Sequence, residues 1–151
     1  MHIYSVPEYF QGGSAAPAPR LVGFSHVSLS VSDREASARW YGAVFGFEVL
    51  EHLQNQQLGF REIVLHHPVT GMVLCLQQHH ANPNQPFDPR RTGLDHLAFK
   101  VASRAELDAW ADRLAALGVA HSPIADMPYG SVLCLRDPDH VQLELFYRAG
   151  H

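Results

Sequence analysis

Two stretches, Gly23-Phe24-Ser25-His26-Val27-Ser28-Leu29-Ser30-Val31 and Gly93-Leu94-Asp95-His96-Leu97-Ala98-Phe99-Lys100-Val101, match at a constant offset of 70 residues. The match runs on through Arg34 over Arg104 and Trp40 over Trp110. Near the other margin Leu74-Cys75-Leu76 lies over Leu143-Glu144-Leu145 at an offset of 69. Repetition with almost no insertion means one structural unit present twice. Within the first stretch Val27, Leu29 and Val31 are apolar, while His26, Ser28 and Ser30 are not. That period of two predicts a strand with one packed face and one face free for chemistry.

Outward from these strands each unit carries a helix. Ser32-Asp33-Arg34-Glu35 and Ser103-Arg104-Ala105-Glu106 fit a capping box, and Gly46 and Gly118 sit where a left-handed cap ends a helix. Leu107, Trp110, Ala111, Leu114 and Leu117 form one apolar stripe at helical spacing, and Trp40 and Trp110 read as core. Three strands follow each helix: residues 47–53, 60–66 and 71–77 in the first unit, 120–124, 131–135 and 141–147 in the second. Turn signals at Pro68-Val69-Thr70-Gly71 and Asp137-Pro138-Asp139 separate the last two strands of each unit. The expected fold is α+β: two βαβββ modules, residues 21–80 and 93–147, building one domain whose cupped, barrel-like mixed sheet has its helices outside. Residues 81–92, rich in Pro and Asn, read as a linker, and residues 1–20, with Gly12-Gly13-Ser14 followed by Pro17 and Pro19, as a flexible leader.

Composition narrows the function. The chain has 151 residues, 46% of them hydrophobic, and a net charge of −4 with its basic residues scattered, so neither nucleic acid nor an anionic membrane is an expected partner. No apolar run reaches the roughly 18 residues of a membrane span, and the start lacks the order of a secretory signal. Cys75 and Cys134 stand alone in apolar segments, as reduced thiols of a cytoplasmic protein do.

A duplicated βαβββ unit with His early in both first strands and Glu in the last resembles the vicinal oxygen chelate superfamily, which unites glyoxalases, bleomycin-resistance proteins and extradiol dioxygenases. The most specific pieces are Gly93-Leu94-Asp95-His96-Leu97-Ala98-Phe99 and Arg136-Asp137-Pro138-Asp139-His140-Val141-Gln142-Leu143-Glu144-Leu145. The resemblance implies a divalent metal on His26, His96 and Glu144. Strand parity agrees, since Val141, Leu143 and Leu145 must pack inward, which turns Glu144 and both histidines to the cup. Two imidazoles and a carboxylate suit Zn, Fe, Mn, Ni or Co and leave positions for water and substrate. A carboxylate buried between leucines without a cation would cost several kcal/mol.

At the position where glyoxalase I carries a glutamate and methylmalonyl-CoA epimerase a glutamine, this chain has Cys75. It is either a thiolate fourth ligand or, more plainly, a small buried hydrophobe. Gln77 and then His79 continue the same face as candidate substrate contacts, and Tyr129 stands in a loop before a strand, where loops close over ligands. His66-His67 and His79-His80 can each turn only one ring to the cup. His140, in a turn, reads as exposed. The resemblance implies a metal-dependent isomerase, lyase or dioxygenase acting on a small oxygen-chelating substrate, with Glu144 also a catalytic base, in a homodimer whose two chains exchange half-cups. The alternative is a metal-free drug-binding module of the bleomycin-resistance type. Fosfomycin-type thiol transfer is disfavoured because no cluster of basic residues stands out in the cup strands. Without a carboxylate at Cys75, Val73, Gln77 or His79, poor glyoxalase I activity is expected.

Overall fold

The computed structural model describes residues 17–55 and 57–150, so most of the expected leader lies outside the described residues. In chain order the elements are β1 (Val27–Ser30), α1 (Arg34–Phe45), β2 (Glu48–Asn55), β3 (Phe60–His66) and β4 (Val73–His79). The second unit repeats them as β5 (Leu97–Lys100), α2 (Arg104–Ala116), β6 (Ala125–Met127), β7 (Gly130–Arg136) and β8 (Gln142–Arg148). Each unit forms a mixed four-stranded sheet, ordered β1-β4-β3-β2 and β5-β8-β7-β6, and the two sheets do not close into a barrel. The pairs β1–β4 and β5–β8 are parallel, because α1 and α2 lie in the connections that return the chain beside its starting strand. In register Ser28 faces Cys75 and Ala98 faces Glu144, so the two offsets of the sequence repeat are also structural equivalences.

Local details differ from the sequence reading in three places. The cap of α1 is Asp33, whose carboxylate accepts from the amides of Glu35 and Ala36, while the preceding Ser32 donates its amide to Asp139 Oδ2 across 3.1 Å. Ser103 does cap α2, by accepting from the amide of Glu106. The strand expected at residues 120–124 reduces to one bridge between His121 and Leu135, and the paired strand comes later, at β6. Pro123 has no amide hydrogen for a ladder, which accounts for the break. Leu117 is exposed, because α2 has already ended and Gly118 turns the chain with φ 69°.

One continuous core joins the modules. Leu74 and Leu76 of β4 and Leu143 and Leu145 of β8 are all at most 2% exposed, in the same cluster as Tyr41, Leu107 and Leu114 from the helices. Phe45 of α1 packs against Phe99 and Trp110 with ring centroids 5.1 and 5.6 Å apart. The last turn of α1 contains no basic residue, yet its unpaired carbonyls are satisfied from α2: the Arg113 guanidinium donates to Val44 O and Ala43 O at 3.0 and 2.9 Å. Tyr41 Oη donates to Asp137 Oδ2 at 2.9 Å, tying α1 to the turn before β8, and both groups are buried. Helices and sheet backs therefore meet between the modules. Ser28, Ser30, Ala98 and Lys100, on the opposite face of each sheet, are exposed. No helix among the described residues is long and apolar enough to cross a membrane.

Candidate metal centre

Burial of Leu143 and Leu145 turns Gln142, Glu144 and Phe146 to the open face of the second sheet. Beside Glu144 on β5 lies Ala98, whose small side chain leaves the carboxylate accessible from His96, two residues earlier. His96 Nε2 is 3.6 Å from Glu144 Oε2, and His96 Nδ1 is 2.7 Å from Asp95 Oδ1. The Asp95 contact holds the imidazole pKa above its usual value against the opposing effect of burial, and the Glu144 charge adds to it. Glu144 Oε1 accepts from Gln142 Nε2 at 3.1 Å and lies 3.9 Å from Cys134 Sγ. Burial first, then the Glu144 charge, pushes the Cys134 thiol pKa up.

This pair fits a metal. Two ligand atoms each about 2.0–2.1 Å from one tetrahedral ion are roughly 3.3 Å apart, close to the observed 3.6 Å. Asp95 holds the far ring nitrogen, the arrangement that fixes a ligating imidazole to coordinate through its other nitrogen. The third expected ligand lies elsewhere. His26 is exposed, its Nδ1 is 3.0 Å from Ser25 Oγ, and it lines a neighbouring apolar cleft of about 420 Å³ with Phe24, Met72 and Leu94, which shares Ala98 and Phe99 with the cleft at His96 and Glu144. Among the described residues no group of three or more His, Cys, Asp or Glu is placed to hold an ion.

Glu144 and His96 instead line a cleft of about 480 Å³ with Phe146, Lys100 and Arg148. Tyr129 stacks on Phe146 at 6.3 Å and 15°, and the Arg148 guanidinium carbon is 5.4 Å from the same ring. Gly130 permits this: a Cβ there would collide with the Tyr147 carbonyl oxygen, so only glycine lets the β6–β7 turn bring Tyr129 over β8. A larger cleft, about 620 Å³, lies between Trp40 and the β7–β8 turn, and neither His96 nor Glu144 reaches it.

On the first sheet Cys75 is buried, and its thiol pKa is raised by that burial and by the Glu62 charge, with the Ser28 hydroxyl opposing. Gln77 donates to Glu62 Oε2 at 2.6 Å. His79 packs on Phe60 at the strand end, beside Arg61 and His80. His67 is a turn anchor, with its Nε2 3.0 Å from Phe45 O, and His140 is exposed with φ 64°. Glu62 was missed in the sequence. A search for a carboxylate along the Cys75 strand stops at β4, whereas Glu62 stands on β3 directly opposite Gln77. The alternation of Ile63 and Leu65, both fully buried, was the signal available for its facing. Lys100 and Arg148 correct a second reading, because parity on β5 and β8 gathers two basic residues that look scattered in the sequence.

The model of the glyoxalase/bleomycin resistance protein/dioxygenase superfamily matches residues 23–145, from the start of the first repeat to the end of the second. The chain belongs to this superfamily. A superfamily domain from Frankia sp. EAN1pec superimposes with a TM-score of 0.78 at 35% identity, over 85% of this chain and 99% of that one. The uncharacterized protein YwkD of Bacillus subtilis (strain 168) is 30% identical over 129 residues, covering 83% of this chain and 97% of its own. The fosfomycin resistance protein FosX of Listeria monocytogenes, solved with Mn(II) and sulfate, shares the fold at a TM-score of 0.61 and 21% identity, over 87% and 96% of the two chains. Within the superfamily fold, this chain differs between its halves: His96 and Glu144 are adjacent in the second module, and Cys75 occupies the place of Glu144 in the first.

Proposed function

We propose that the protein is a cytoplasmic metal-dependent enzyme, of isomerase, lyase or dioxygenase type, whose site forms between two copies of the chain. His96 and Glu144 of one copy and His26 of the other would hold a divalent ion, with Mn, Fe, Zn, Ni and Co all compatible. The observation that carries this reading is the His96–Glu144 pair at 3.6 Å with Asp95 behind the imidazole. Dimer formation is supported by what one chain leaves open. β1 and β5 are sheet edges, and Leu21, Val22 and Phe24 beside β1 are 91%, 91% and 99% exposed.

Bound there, the ion would act as a Lewis acid toward adjacent oxygens of a small substrate and stabilise an oxyanion. Glu62 accepts the substrate proton in this reading, being a largely buried carboxylate on the Cys75 and Gln77 face of the first sheet, held in place by the Gln77 amide. Asp95 keeps His96 oriented, and Phe146, with Tyr129 stacked on it, forms one wall. Cys75 is a packing residue here, because its side chain is buried in the sheet.

The absence of a complete triad among the described residues of one chain supports a second reading, a metal-free module that sequesters a small molecule. Metal analysis after loading separates the two. About one ion per chain, followed by turnover in a screen of dicarbonyl, catechol and acyl-thioester substrates, is the expected result. Tight small-molecule binding with no ion bound would favour sequestration.

A further inference from the structure

The cleft at His96 and Glu144 carries two cations that the metal does not use. Lys100 follows His96 and Ala98 on the open face of β5 and lies in register with Phe146, and Arg148 is the next open-face residue after Phe146 on β8. Among the described residues neither Lys100 nor Arg148 has an acidic partner; Arg39 and Arg61 share that state, but Lys100 and Arg148 are the two that line the cleft of His96 and Glu144. Arg148 instead stands over the Phe146 ring at 5.4 Å, which orients its planar fork beside the cleft of about 480 Å³.

We infer that Lys100 and Arg148 form an oxyanion subsite, so that the substrate of the proposed metal site is an organic acid with a second, anionic end. The end bound at the metal supplies the two neighbouring oxygens. The far end is a carboxylate or phosphonate received by Lys100 and the Arg148 fork, with the Phe146–Tyr129 stack flanking the chain between. This inference rests on the proposed metal site for the near end only. Repulsion between Glu144 and the anion does not defeat it, because the acid end is placed at Phe146 and beyond, one or more open-face positions further along β8.

The test compares three probes that share a 2-oxo acid head: 2-oxopentanoate, 2-oxoglutarate and 2-oxo-4-phosphonobutyrate. Affinities for the full-length protein are measured by calorimetry with and without Mn(II). The expected preference for the dianionic probes over 2-oxopentanoate is about tenfold or more, the order of one charge-assisted contact. The K100Q/R148Q variant should bring that ratio near one while its 2-oxopentanoate and Mn(II) affinities stay unchanged. Which of the two dianions binds tighter identifies the anion as carboxylate or phosphonate. The ratio isolates the far end: failure of the metal reading lowers all three affinities together and leaves the preference standing. A wild-type ratio near one, an undiminished ratio in K100Q/R148Q, or no detectable 2-oxoglutarate binding where 2-oxopentanoate binds would overturn the subsite.

Discussion

The two modules share one backbone plan and divide the chemistry between them. Equivalent positions hold Ser25 and Asp95, Ser28 and Ala98, Ser30 and Lys100, Cys75 and Glu144, Gln77 and Phe146. In the second module the open face carries a histidine–carboxylate pair and two cations. In the first it carries the Glu62–Gln77 hydrogen bond over a buried thiol. Cores of the two modules are alike, leucine for leucine, at Leu74 and Leu143 and at Leu76 and Leu145. Duplication preserved what packing requires and released what faces outward, since one residue of register separates the two sets on a strand.

That division is breakable by substitution. If the first module supplies the proton acceptor, Glu62→Gln should lower turnover of the substrate found in the screen about a hundredfold to ten-thousandfold, with metal content unchanged. Rates within a few fold of wild type would remove Glu62 from the chemistry. In the second module Asp95→Asn should weaken Mn(II) binding by about tenfold to a hundredfold, as loss of a partner behind a ligating imidazole does. Ser25→Ala, its counterpart, should cost less, because a neutral hydroxyl polarises His26 less than a carboxylate polarises His96. Titration with Mn(II) by electron paramagnetic resonance reads both, and equal losses would erase the predicted asymmetry.

The tie between the modules is testable by stability. Tyr41→Phe removes the hydrogen bond to buried Asp137 and should cost about 1.5–3 kcal/mol, the range for a bond to a charged group. Urea denaturation with an unchanged midpoint would contradict this. A smaller effect follows from pH. Since Asp95 holds the His96 pKa above the usual 6.5, protons compete with the ion from above that value, and Mn(II) affinity should fall as pH drops through the raised pKa. Asp95→Asn should move that fall to lower pH. In the metal-free protein the sign reverses: the contact stabilises the fold below pH 6.5 and loses that contribution as pH rises through the folded-state value.

Much of this was legible in the sequence because periodicity carries it. The repeat predicted two like modules, and parity predicted the facing of Glu144 from the packing of Leu143 and Leu145. What escaped depended on neighbours across strands or far along the chain. Glu62 meets Gln77 only through the β3–β4 register, Lys100 and Arg148 line one cleft only because β5 pairs with β8, and Tyr41 meets Asp137 across 96 residues. Ser32 and Asp33 are both good caps, and which one caps was decided by Asp139, which takes the Ser32 amide. The facings of His96 and Glu144 were legible as well, but not the 3.6 Å approach of the two side chains, which depends on the small Ala98 lying beside Glu144.

The most direct test of a shared site mixes two defective chains. His26→Ala and Glu144→Ala should each lose high-affinity Mn(II) binding alone while remaining folded. After subunit exchange, half the chains would sit in mixed dimers in which one of two sites is intact, so about a quarter of wild-type sites should return. Absence of any recovery in a mixture shown to contain the mixed dimer would contradict a site built from two copies.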